Sequence, residues 1–269
     1  MGIETNIVEL AENLAREFPS PRGGGDVAKV FNEYDTPFII GDFGDEFEGL
    51  LRFEDNQFQA FVNQEHPNAI NAARVGFTSA HELGHYAIPE HNSAIRKGFM
   101  CHKSVPGFHS GEKIEHEADM FASRFLIPEK KLRKSSRAKN WGAQDILNAA
   151  NKFGTSITCA ALRCQESLAG NSILLKWDDK GVTWKRRDRE WYFTMRNSTI
   201  QKVDELVVGT ATYEMLQNKE RPEMGFIQKG STKAAWVRSV GHTGFNNDLW
   251  HESAIYLGDY GVLTLLTPM

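Results

Sequence analysis

Two histidines four residues apart flank a glutamate in the run His81-Glu82-Leu83-Gly84-His85. On a helix, residues i and i+4 share a face, so both imidazoles can aim at one metal ion. Glu82 then sits beside that ion, placed to take a proton from a bound water. Zinc takes such nitrogen ligands, and with three protein ligands it keeps one position open for water. The chemistry implied is metal-assisted hydrolysis of a peptide bond, with zinc as the metal. The same donors would also take manganese or another divalent ion, since availability as well as geometry sets occupancy. The rest of the chain must supply the third ligand and the cleft.

Two residues compete for the third ligand. His91 lies ten residues after His81, the spacing of an HExxHxxxxxH pattern. In that pattern a glycine lets the chain turn back to the metal, and here the position is Ile88, followed by Pro89. A branched residue tolerates the left-handed conformation poorly. The alternative is Glu115 in Glu115-His116-Glu117-Ala118-Asp119. Glu115 and Asp119 are again i and i+4. Glu115 would bind the metal while Asp119 accepts a hydrogen bond from the far nitrogen of a liganding histidine, fixing its tautomer. This arrangement is favoured over His91. Glu117 points about 200° away from Glu115 on an ideal helix and is the weaker candidate.

Several elements must position these groups. Apolar residues at helical spacing predict helices over 4–17 and 26–33, the second with Asp26 as N-cap. Pro37–Ile40, Gly49–Phe53 and Phe58–Asn63 read as short strands. A helix over about 68–87 carries the two histidines and ends at Pro89. Residues 90–111 read as a loop, and a helix over about 112–127 carries Glu115 and Asp119 and stops at Pro128. Residues 129–140 hold six Lys or Arg and read as a solvated connector or frayed helix. Residues 143–168 return to helix, broken near Gly154, and from 171 strands dominate: Ser172–Trp177, Val182–Arg186 and Gly261–Leu266. An extended substrate could add to an exposed strand edge, for which Gln57–Asn63 is the expected strand.

The chain has 269 residues, 41% hydrophobic and 25% charged, with net charge −4. This is the composition of a globular protein without a broad surface for nucleic acid. Three cysteines, Cys101, Cys159 and Cys164, do not form a disulfide framework. The N-terminus carries early acids and no continuous apolar run, so neither a signal peptide nor a membrane span is expected, and the cytoplasm is the expected compartment.

The run Phe77-Thr78-Ser79-Ala80-His81-Glu82-Leu83-Gly84-His85 resembles the FTxAHELGH signature of the ImmA/IrrE family of metallo-endopeptidases. Glu115–Pro128 resembles the family's ExEAxxFAxxLLxP helix, with Phe125 and Ile127 in place of the commoner Leu and Met. Phe61-Val62-Asn63 is similar to the strand before the active-site helix, and residues 145–163 to the helical pair after the core. The likeness covers roughly residues 5–165. It implies a zincin-like metallopeptidase core; together with the strand pattern after residue 170 the expected fold is α+β, with that core and its small mixed sheet over 1–135, a helical pair over 136–170, and a β-rich C-terminal domain over 171–269 for sensing or substrate recognition. It further implies zinc held by His81, His85 and Glu115, with Glu82 as general base and Asp119 behind a ligand. The partner implied is a protein substrate, a helix-turn-helix repressor encoded nearby, whose cleavage switches on stress, phage or mobile-element genes. Two alternatives stay open: the peptidase of a toxin–antitoxin pair, and a non-proteolytic DNA-binding regulator that kept the metal site.

Weaker signals remain. Residues 145–165 could form a helix-turn-helix that contacts DNA, though packing as a helical hairpin is the stronger reading. Lys185-Arg186-Arg187-Asp188-Arg189, between Trp184 and Trp191, reads as a charged hairpin face. A Cys101 thiolate could cap an open metal position. Candidates to stabilise an oxyanion are His102, His109, Tyr192, His242 and His251.

Overall fold

A computed structural model describes residues 3–68, 71–98, 102–104, 113–135, 141–168, 172–188, 198–200, 208–217, 225–232, 236–239 and 249–268. Cys101, His109, Arg189, Trp191, Tyr192 and His242 lie outside the described residues. The chain is α+β and divides into two compact units, Met1–Ser135 with Ala149–Arg163, and Ser136–Asn148 with Cys164–Met269.

The first unit holds the two motifs. Helices α1 (Ile3–Glu17) and α2 (Val27–Glu33) come first, and the Asp26 side chain caps α2 by accepting from Lys29 N at 3.2 Å. Three strands follow: β1 (Phe38–Gly41), β2 (Gly49–Glu54) and β3 (Gln57–Asn63). Helix α3 (Ala72–Ala87) starts at Asn71, whose side chain accepts from Arg74 N, and ends at Ile88, the residue before Pro89. Every residue from Thr78 to His85 is buried, so this stretch of α3 is covered on all sides. Helix α4 (Pro89–Arg96) follows at once, then strand β4 (His102–Ser104), α5 (Lys113–Leu126) and α6 (Glu129–Ser135).

Two sequence expectations need correction here. Residues 90–111 are not one loop, because 89–96 form α4. Proline ends α3 by restricting Ile88, yet its missing N–H and fixed φ suit it to the first turn of the next helix. Gln57–Asn63 is not an exposed edge either. The sheet runs β1-β3-β2-β4, so β3 is interior, paired parallel to β1 and antiparallel to β2. Over Ala60–Asn63 it is flanked by a strand on each side, and only Gln57–Gln59 extend beyond the pairing with β1.

The core of this unit joins Ile7, Ala11 and Leu14 of α1, Val30 and Phe31 of α2, Leu51, Phe58 and Ala60 of the sheet, Leu83 of α3, and Phe121, Ala122 and Phe125 of α5. Helices α7 (Ala143–Phe153) and α8 (Ile157–Ser167) are divided between the two units. On α8 only Glu166 is exposed, and its one basic residue, Arg163, is 0% exposed and donates to the Ile127 carbonyl. A helix so covered has no basic face to enter a DNA groove.

In the second unit, β5 (Ile173–Asp178), β6 (Gly181–Arg187), β8 (Phe226–Thr232), β10 (Leu249–Tyr256) and β11 (Val262–Pro268) form an antiparallel sheet in the order β6-β5-β11-β10-β8. Helix α9 (Ala211–Gln217) packs on it through Ala211 and Met215, beside Trp177, Trp236 and Trp250. Strands β7 (Ser198–Ile200) and β9 (Val237–Ser239) make a separate pair. Lys185 and Arg186 are exposed on β6 and Arg186 pairs with Glu166 at 2.6 Å, but Asp188 is buried and accepts from Ser172 N, so among the described residues the expected charged face is confined to those two.

Candidate active site

Helix α3 brings His81 and His85 onto one face, and α5 crosses it to bring Glu115 to both. His81 Nε2 lies 3.0 Å from His85 Nε2 and 3.2 Å from Glu115 Oε2, while His85 Nε2 lies 3.6 Å from Glu115 Oε1. One ligand atom from each of the three lies within 4.8 Å of the others. Two nitrogens and one carboxylate oxygen converging on a small volume fit a divalent metal ion.

The close crossing depends on two small residues. A Cβ added at Gly84 would lie 3.2 Å from Phe121 Cδ1 and 3.3 Å from the Ala118 backbone. The glycine of the His81–His85 run therefore sets the distance between α3 and α5 right beside His85. Gly49 plays a similar part on β2. A Cβ there would lie 2.3 Å from Glu82 Oε1 and 2.7 Å from Thr78 Cγ2, so the strand backbone passes directly over the Glu82 carboxylate. Buried Glu48, next to Gly49, accepts from Arg74 Nε at 2.7 Å and ties this end of β2 to the first turns of α3.

The far nitrogens of the two histidines are also engaged. His81 Nδ1 lies 2.9 Å from Asp119 Oδ1. His85 Nδ1 lies 3.2 Å from His91 Nδ1, and His91 Nε2 lies 3.0 Å from Glu117 Oε2. His91 is thus on the opposite side of His85 from Glu115, and the converging group does not include it. Burial lowers the pKa of His81, but hydrogen bonds to Asp119 and Glu115 and the charge of Glu82 outweigh it and hold the imidazole at about 10.

The motif residues His81, Glu82, His85, Glu115 and Asp119 come together as their spacing implied. Gly49, the Glu48–Arg74 pair and the link from His85 through His91 to Glu117 were not anticipated. The alternation of acids at 115, 117 and 119 was the available signal for the last. Among the oxyanion candidates, His102 is described only as part of the β4 backbone, paired with Leu51. His251 sits on β10 of the other unit. Cys159 and Cys164 are buried in α8.

Residues 61–165, the segment carrying both motif helices, match the peptidase M78 family, described as the IrrE N-terminal-like domain. The ImmA/IrrE resemblance therefore holds over this segment, which is a metallopeptidase-type domain. A solved structure titled "Mycobacterium tuberculosis transcriptional regulator" is similar in fold, with TM-score 0.58, 14% identity, and coverage of 98% of this chain and 87% of that one. No curated protein sequence matches. No helix among the described residues is long and apolar enough to cross a membrane.

Proposed function

We propose that the chain is a zinc-dependent endopeptidase that cuts a regulatory protein, with His81, His85 and Glu115 as metal ligands and Glu82 as general base. The observation that carries this reading is the convergence of His81, His85 and Glu115 within 4.8 Å, with Glu82 fixed beside them under β2. Zinc bound there supplies a Lewis-acid centre and an acidified water. Glu82 has the place of the group that takes a proton at its carboxylate and returns it to the leaving amine. The buried setting of Glu82, with Gly49 and Thr78 against it, limits its rotamers and keeps the carboxylate aimed. Asp119 holds His81 Nδ1, so that Nε2 keeps its lone pair for the metal.

The substrate we propose is a helix-turn-helix repressor encoded nearby, acted on in the cytoplasm. The resemblance over residues 61–165 and a fold neighbour titled as a transcriptional regulator support a regulatory rather than digestive setting. The test is incubation of the product of the adjacent gene with wild-type protein and with Glu82→Gln, followed by mass spectrometry of fragments. One defined cut by the wild type, absent with Glu82→Gln, is expected. Equal fragments from both proteins, or none from the wild type loaded with zinc, would overturn the proposal.

A further inference from the structure

His85 is held differently from His81. Asp119 reaches His81 directly, whereas the group behind His85 is a second imidazole. An Nδ1–Nδ1 contact at 3.2 Å needs one nitrogen with a proton and one with a lone pair. His85 Nε2 faces His81 and Glu115, so a metal there requires its lone pair and leaves the proton on Nδ1. His91 Nδ1 must then accept, which puts the proton of His91 on Nε2. That nitrogen faces Glu117 Oε2 at 3.0 Å, a carboxylate that accepts. The three side chains are buried, His91 at 1% and Glu117 at 6% exposure. Lys113 Nζ stands 3.4 Å from the other Glu117 oxygen.

Resting on the proposed metal site, we infer that His91 and Glu117 are positioning residues that fix the tautomer and ring orientation of His85 through a one-way hydrogen-bond chain. Glu117 sets the direction, and each donor along the chain follows from it. Helix α4 makes this work, because the chain bends at Ile88-Pro89 and returns His91 beneath His85. Helix α5 then supplies all three acids: Glu115 toward the metal, Asp119 behind His81, and Glu117 behind His85 through His91. The residue that competed in sequence for the third ligand thus serves the second ligand.

The first measurement uses the wild-type chain loaded with zinc and labelled with 15N in histidine. NMR should show His85 protonated at Nδ1, and His91 protonated at Nε2 and bare at Nδ1. A proton on His91 Nδ1 would overturn the inference. The second compares zinc affinity by chelator competition. His91→Leu keeps the buried volume and removes the acceptor; it should lower affinity 10–100-fold, the usual effect of losing such a partner. His91→Asn, whose amide oxygen can stand where Nδ1 does, should recover most of the loss. Glu117→Gln should fall between wild type and His91→Leu. His91→Leu also strands the buried Glu117 carboxylate and should lower the denaturation midpoint of the metal-free protein; adding Glu117→Leu removes that cost, and the double variant should regain stability while keeping the loss of zinc affinity, which a merely structural role would not produce. If His91→Leu binds zinc as tightly as wild type, the inference fails while the metal site stands. If wild type binds no zinc, or binds it independently of His81 and Glu115, the functional reading itself fails.

Discussion

Glycine at position 84 costs helix α3 about 1 kcal/mol relative to alanine on propensity alone. The same helix holds a built-in control. A Cβ at Gly76 meets nothing within 4 Å, whereas at Gly84 it meets Phe121 and the Ala118 backbone at 3.2–3.3 Å. Gly76→Ala should therefore stabilise the protein by about 0.5–1 kcal/mol. At Gly84 the same gain is opposed by contacts tighter than normal, two of them with backbone that cannot swing aside. Overpacking of this kind costs about 1–3 kcal/mol, so Gly84→Ala should fall between neutral and about 2 kcal/mol destabilising. Gly84→Val adds two further methyl groups and should cost about 3 kcal/mol or more. Relief requires α5 to move away, and Glu115 lies one turn from Ala118. A shift of about 1 Å there spoils a ligand set, so zinc affinity should fall at least about tenfold, or about 1.4 kcal/mol. Urea denaturation of the metal-free variants reads the first effect and chelator competition the second. Were Gly84→Val to keep both wild-type stability and wild-type affinity, the close crossing of α3 and α5 would not be what assembles the site.

Other outcomes follow from the same geometry. Gly49→Ala should leave zinc affinity near wild type while displacing the Glu82 carboxylate, so cleavage of the proposed substrate should drop about 100-fold or more with the metal still bound. Zinc affinity should rise with pH up to about 10 and flatten above it, because the raised pKa of His81 means a proton must be displaced below that point. The slope should be about tenfold per pH unit, and Asp119→Asn should lower the pH at which it flattens. Arg74→Met strands the buried Glu48 carboxylate. Since Arg74 is partly exposed, the loss should sit at the low end of the usual 3–5 kcal/mol or so for breaking such a pair, read by urea denaturation. Arg163→Met removes the donors to the Ile127 carbonyl and should cost about 1–3 kcal/mol by the same measurement.

Local rules made much of the first unit legible. Periodicity locates α1, α3 and α5, and the i, i+4 rule pairs His81 with His85 and Glu115 with Asp119 from the sequence alone. Non-local relations were hidden. That β3 lies inside its sheet depends on a parallel pairing with β1 across an intervening hairpin, which no short window of residues encodes. Helix α4 was hidden behind Pro89, read as a stop when it is also a start. Without α4 the place of His91 beneath His85 could not be seen, nor the use of Glu117. In the second unit, β8 and β10 and helix α9 are held by contacts distant in sequence. Glu252 on β10, for example, accepts from Thr212 N at 2.7 Å.

Helix α5 has consequences for how this protein can diverge. Its residues are committed on every side: to the metal-facing cluster, to the two histidine supports, to the close crossing with α3, and to the core. From Ile114 to Leu126, His116 is the sole exposed position. A saturation library over Ile114–Leu126 should show tolerance concentrated at His116 and a sharp loss of viable variants elsewhere. New specificities would therefore have to arise in surrounding elements, while α5 changes slowly.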